Sequence, residues 1–262
     1  MGRYCKTLLR FWSTALASQT EYQVNVLFDL LAMGGNLAGS LFVMSLFFRG
    51  GRSLGGWSWP EALVVLGVYT MLDGLASTVL RPNLSRIVSH VQEGTLDFVL
   101  LKPIDSQFWL SSRTFALGGL PEIVSGLGLM GWAAAVAGAR PTPAVVAAAI
   151  LLLLASITIL YSLWFVLATT SIWFVKTWNA TEVLRATLTA GRYPMSAYPQ
   201  TLRLLFTVVI PVAFLTTVPA EAILGRPSWS GLLAAGGMAL SCFALSRWFW
   251  RLALRSYTSA SS

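Results

Sequence analysis

Two carboxylates stand where water is scarce. Asp73 and Glu122 each lie inside a long apolar run, and Asp29 sits near the start of another. Ionisable groups at such depth are costly and mark pathways, proton relays or paired sites. By helix rise, Asp73 is about 10 Å from the cytoplasmic end of its run, and Glu122 about 13 Å from Arg113. Consecutive spans run antiparallel, so the two share a depth. They could line a path that favours cationic cargo. They could equally be satisfied by Ser, Thr or Asn of a neighbouring helix. Pro121 should loosen the backbone beside Glu122.

Other chemistry is thin. A phosphate-cradling loop needs GxxxxGK[ST]. The lysines are Lys6, Lys102 and Lys176, and none follows a glycine. The chain is therefore expected not to hydrolyse ATP. A single histidine, His90, rules against a His-containing metal site or a Ser–His protease, although Ser125-Gly126 is similar to an intramembrane serine motif. Neither metal nor cofactor is expected on this chain. Cys5 and Cys242 do not make a disulfide framework.

The elements that hold these residues are apolar. Of 262 residues, 56% are hydrophobic and 11% charged, and the mean hydropathy is +0.69. A soluble domain carries about 25% charged residues, so this surface must face lipid. Six runs approach the roughly 20 residues that cross a bilayer: 26–48, 62–80, 114–137, 144–175, 202–219 and 231–250. They lack the alternation of barrel strands, so helices satisfy the backbone. The expectation is an all-α polytopic membrane protein with six transmembrane helices, a single domain over 1–255 and a short polar tail over 256–262. The first run, about 23 residues, is too long for a secretory core. The fifth holds Pro211 and should kink there. The net charge of +8 reflects basic residues between the runs, a topology signal and not a nucleic-acid surface. With Arg49, Arg52, Arg140 and Arg226 on one side and the other 14 of 18 basic residues on the opposite side, both termini are cytoplasmic.

The cytoplasmic connections carry the organisation. Tyr4, Leu8, Phe11 and Ala15 share a helical face beside Arg3, Lys6 and Arg10, as in an interfacial helix. Arg81-Pro82-Asn83 should break the second span, with Asn83 capping the next helix. There Leu84, Ile87, Val88 and Val91 repeat at helical spacing. Glu93 is on another face, and Gly94 should end the helix before Thr95, Leu96 and Asp97. That stripe rests on headgroups or docks a partner. A short helix over 179–190 and the turns Tyr193-Pro194 and Tyr198-Pro199 fill the next cytoplasmic connection. Arg247, Arg251 and Arg255 repeat every four residues and should reach headgroups, with Trp248 and Trp250 at the interface. Outside, Gly50, Gly51, Gly55 and Gly56 make a tight loop, and 219–230 could dip back into the membrane. Gly35 and Gly39, with Gly34 and Ala38, permit close helix approach within the chain or to a second copy.

Three stretches carry a family resemblance: QEGTLDFVLLKP (92–103), GRYPMSAYP (191–199) and VIPVAFLTTVPA (209–220). With these the chain resembles the permease subunits of bacterial type-II ATP-binding-cassette exporters, in the six-span branch without a fused ATPase. The resemblance implies an inner-membrane efflux subunit working by alternating access. It implies a coupling helix at 84–93 docking into a separate cytoplasmic ATPase, which holds the ATP and magnesium. It also implies a second six-span permease, identical or homologous, with cargo passing between the two. Relatives export drugs and cationic toxicants. Ion-coupled secondary transport, with carboxylates carrying protons, is the alternative; a non-transporting scaffold is a further one.

Overall fold

The computed structural model describes residues 7–8, 11–13, 23–174 and 178–257. These are mostly helical, with no strand among them beyond an isolated bridge between Leu54 and Trp57. The helices are α1 (Gln23–Phe47), α2 (Trp59–Leu75), α3 (Arg81–Gln92), α4 (Leu96–Leu100), α5 (Ser106–Ser112), α6 (Leu120–Val136), α7 (Pro143–Thr169), α8 (Trp178–Leu188), α9 (Gln200–Leu204), α10 (Val212–Leu215), α11 (Thr217–Ile223) and α12 (Trp229–Ser256). Among the described residues, five continuous helical stretches are long and apolar enough to cross a membrane, or six if a bent pair is counted as one span. Of the expected interfacial helix, Tyr4, Ala15, Arg3, Lys6 and Arg10 lie outside the described residues, as do Cys5 and Lys176. Phe11 packs on the core, and the Trp12 indole donates to the Ser112 carbonyl at 3.2 Å.

The second span does not break where proline suggests. α2 runs through a π turn at Ala76–Leu80 directly into α3, one helix of 34 residues. Pro82 has no N–H for the carbonyl of Thr78, four residues earlier. That carbonyl instead accepts from Ala116 N–H at 2.9 Å. Asn83 is not a cap. Its Nδ2 donates to the carbonyls of Val79 and Thr114, and its Oδ1 accepts from Thr114 N–H, all at 2.7 Å. The proline's defect is thus filled by the strand-like connection that precedes α6. At about 1.5 Å per residue this helix is about 50 Å long, some 20 Å more than a hydrocarbon core.

α2 is the most buried of the spans and faces α6 along its length. Gly67 and Gly74 on α2 meet Gly126 and Gly119 on or beside α6. A Cβ on any of these four would come within 3.0 Å of atoms on the opposite segment, including backbone. Seven residues separate the glycines on each side, so the pairs stack two turns apart. α7 packs along α12 and also against α10 and α11. α1 is peripheral: Leu27, Phe28, Leu31 and Phe42 are exposed, and nothing stands near Gly34, Gly35 or Gly39. Pro121 falls in the first turn of α6, where its missing N–H costs nothing, so it does not loosen the helix.

The fifth apolar run is not a straight helix. Gln200–Val209 and Val212–Ile223 meet at 71° across Pro211, the bend expected there. Both limbs start and finish at one end of the bundle. Ser196 and Ala197 abut Gly55 in the loop between α1 and α2, and Arg226 ion-pairs with Glu61 at the start of α2. The passage from the opposite end lies in α8 and the turn Thr189–Arg192. Arg185 lines a cavity with Arg81 and Ser85, whereas Arg192 reaches Asn36 Oδ1 at 3.0 Å and Ser40 Oγ at 3.1 Å. The stretch 176–203 is therefore not a connection confined to one face, as expected from its polarity.

The last helix also departs from expectation. Arg247 is not free to reach headgroups: both its terminal nitrogens bond Asp105, at 2.9 and 2.8 Å. Trp250 is buried against Phe165 and donates to Ser106 Oγ, while Trp248 stays exposed.

Candidate functional site

The π turn brings the membrane charges together. Arg81 is eight residues after Asp73 and forms an ion pair with it. Ser77, between them on the same face, receives a hydrogen bond from Arg81 at 3.0 Å. Its hydroxyl lies 3.2 Å from Glu122 Oε2 and 2.9 Å from the Asp73 carbonyl. Asp73 and Glu122 are thus brought to one place, linked through Ser77. Asp73 already has its cation, and Glu122 lies in the first turn of α6, where the helix dipole favours negative charge. Asp29 lies against Gly118, just before α6.

Three cavities lie end to end around this cluster. The widest, about 720 Å³, opens between α3, α7 and α8 and is lined by Ser85, Val88, Ser89, Trp164, Glu182 and Arg185, among others. It shares Arg81, Trp164 and Arg185 with a neck of about 30 Å³ that continues to Tyr69, Asp73 and Thr216. Tyr69 and Asp73 in turn line a small pocket with Glu122, Asn36, Ser40 and Arg192. A chamber in the hundreds of cubic ångströms can hold a small molecule, whereas the neck admits about one or two waters.

At the opposite end of the long helix, the apolar stripe divides. Leu84 and Ile87 are 1% and 0% exposed and pack into the chain's own core with Leu96, Val99, Trp109 and Leu110. Val91 packs partly on that core, and Val88 lines the large chamber. Gly94, at φ +67°, ends α3, and Thr95 N–H returns to the His90 carbonyl at 2.9 Å. α4 then folds back, with Asp97 in its first turn. The apolar groups left outside are Phe98, Leu100 and Leu101, 68%, 37% and 80% exposed, near exposed Glu93. Behind them Lys102 and Arg113 sit over Trp109, at 5.2 and 4.8 Å from its ring centre. Arg247 holds the Asp105 carboxyl below the ordinary carboxylate range, with the Phe108 amide helping against partial burial. No group of three His, Cys, Asp or Glu among the described residues could hold a metal ion.

A through-helix ending in an exposed apolar hairpin, within a bundle of five or six spans, can be compared with known families. The model of the ABC-2 family transporter proteins matches residues 35–261. The chain belongs to that family. It is accordingly a multi-pass membrane protein and a membrane permease of the ATP-binding-cassette class. No match was found among curated proteins or among solved structures. Within this ABC-2 permease, several site residues escaped the sequence reading: Ser77, Arg81, Trp164, Arg185 and Arg192. Trp164 sits in an uncharged apolar run and gave no signal. Ser77 and Arg81 fall four and eight residues after Asp73, a helical spacing that would have exposed the ion pair had the helix not been taken to stop at proline.

Proposed function

We propose that this ABC-2 permease is half of an ATP-driven exporter that moves a small amphipathic compound out of the cytoplasm by alternating access across the inner membrane. The observation that carries this is the unbroken helix from Trp59 to Gln92, glycine-locked to α6 and tipped by a hairpin with Phe98 and Leu101 exposed. A stiff element longer than the membrane transmits displacement at its tip to the spans. In this reading Glu93, Gly94, Asp97, Phe98 and Leu101 meet the cytoplasmic ATPase. Leu84, Ile87 and Val91 anchor the lever to its own core, and Val88 faces the chamber. ATP and magnesium bind on that partner. The exposed apolar face of α1, with its open glycines, suits a second permease. α8 through Arg192 makes the fifth crossing, and α9 to α11 form a hairpin dipping from the outer face, which keeps both termini inside.

Affinity capture of the tagged chain from its native membrane tests the reading. An ATP-binding-cassette ATPase should copurify, and Phe98→Asp with Leu101→Asp should release it while leaving the chain folded. Transport activity in the purified chain with no ATPase attached would overturn the reading in favour of an ion-coupled carrier.

A further inference from the structure

We propose that the chamber between α3, α7 and α8 is a binding site for an amphiphile with an anionic, acceptor-rich headgroup. This deepens the permease reading and rests on it for the site's role in export. Residues carrying buried, unpartnered donors line the chamber's inner end and the neck. Trp164 is 6% exposed and lines both the chamber and the neck, yet its indole N–H has no partner among the described residues. Arg81 spends its two terminal nitrogens on Asp73 and Ser77, and its buried Nε–H has no partner there either. Thr216, 2% exposed in the neck, has an unpartnered hydroxyl. Arg185 lines both spaces without an ion-pair partner among the described residues.

A buried donor without an acceptor forfeits its hydration. Three such groups around one opening call for a ligand that accepts several hydrogen bonds at one point, as phosphate, sulfate or carboxylate oxygens do. Three acids stand near. Asp73 is already paired with Arg81, Glu182 lines the wide part of the chamber but not the neck, and Glu122, bonded to Ser77, lines the small pocket beyond the neck and neither the chamber nor the neck itself. The rest of the chamber suits a tail: Leu84, Val88, Ala168 and the Trp164 ring are apolar, and about 720 Å³ accommodates a chain of moderate length. A quaternary ammonium would leave every one of these donors unsatisfied.

The test is native mass spectrometry of the full chain released from neutral detergent, titrated with dodecyl phosphate and, separately, with dodecyltrimethylammonium. The phosphate should bind one per chain at least tenfold more tightly. Arg185→Gln, an exposed site where folding is not at stake, should weaken dodecyl phosphate by about tenfold. Trp164→Phe, which keeps an aromatic ring of smaller size and removes the donor, should do the same, with thermal unfolding confirming the fold. Equal affinity for the two probes, or wild-type phosphate affinity in folded Arg185→Gln, overturns the proposal. Phosphatidylglycerol added as competitor assigns the source: displacement points to a membrane lipid, and no displacement to a soluble amphiphile; either outcome supports the headgroup chemistry. Since no ATPase is present, failure here is distinct from failure of the copurification.

Discussion

Asn83 and Thr114 are clamped by two hydrogen bonds of 2.7 Å, one in each direction, at the point where the long helix meets the lead-in to α6. Asn83 is buried and its amide also takes the carbonyl of Val79, so three bonds pass through one side chain. Replacing it with Ala leaves those backbone groups unsatisfied, at about 1–3 kcal/mol for each group that water cannot reach. Asn83→Ala should lower the unfolding temperature in detergent by several degrees. Asn83→Asp should recover little, since a carboxylate cannot donate to either carbonyl. If Ala left the melting temperature unchanged, water would be replacing the clamp, and the elbow would be softer than its bonds imply.

The glycine pairs predict a different result on the two faces of one helix. Gly126 abuts the backbone of Met71, whereas Gly128, two residues on, has nothing within 4 Å. Gly126→Val must push α2 and α6 apart, a strain of about 1–3 kcal/mol or more. Gly128→Val should be tolerated. Thermal unfolding of the two variants separates packing from helix propensity, because both lose the same glycine flexibility. Equal losses would assign the effect to the backbone and not to the contact.

Much of the fold could be read from the sequence because lipid leaves few solutions. Uninterrupted apolar runs became helices, Pro211 bent the fifth run, and Gly94 ended α3. What failed were the rules that treat one residue in isolation. Pro82 looked like a stop, but a π turn and the amide of Ala116, 34 positions away, absorbed its defect. Arg247 looked like a headgroup anchor, but Asp105 on a distant segment claimed it. The stretch 176–203 looked cytoplasmic because it is polar, yet Arg192 is accommodated at depth by Asn36, Ser40 and the Tyr69 ring. That Asp73 and Glu122 would fall at one level was legible from antiparallel spans, but the helix rise counted from Arg113 does not apply, because α6 begins only at Leu120. The arginine that neutralises one of them was visible too, but only with the helix continued past Pro82.

Asp105 gives a pH dependence with a definite sign. Its bond to Arg247 lowers its pKa in the folded chain below the ordinary 3.8. A group depressed on folding stabilises above its unfolded pKa and loses that contribution as pH falls through the folded value. The α5–α12 contact should therefore be intact at pH 7 and loosen only below about pH 4. Asp105→Asn should remove this component of acid sensitivity and lower stability modestly at neutral pH, since the pair is one-third exposed. Unfolding midpoints from pH 7 to pH 3 measure both. An Asp105→Asn profile parallel to wild type across that range would show that the pair contributes nothing.

The ion pair between Asp73 and Arg81 sets the most discriminating expectation, because it bears on what the carboxylates are for. If Asp73 served to attract cations, neutralising it would reduce cation transport and leave the fold alone. If it serves to hold Arg81, Asp73→Asn strands a guanidinium beside Ser77 and Glu122, and the damage is structural. Breaking one side of a fully buried pair costs about 3–5 kcal/mol. These side chains keep 27% and 19% of their exposure, so a smaller loss is expected. Arg81→Gln alone should destabilise comparably, leaving Asp73 and Glu122 as near neighbours with no shared cation. The double variant Asp73→Asn/Arg81→Gln should be less impaired than the sum of the two, since each removes the other's unpaired charge. Thermal unfolding of all four proteins yields the coupling directly. Additive losses would mean that the two charges act independently and would return Asp73 to the cargo path.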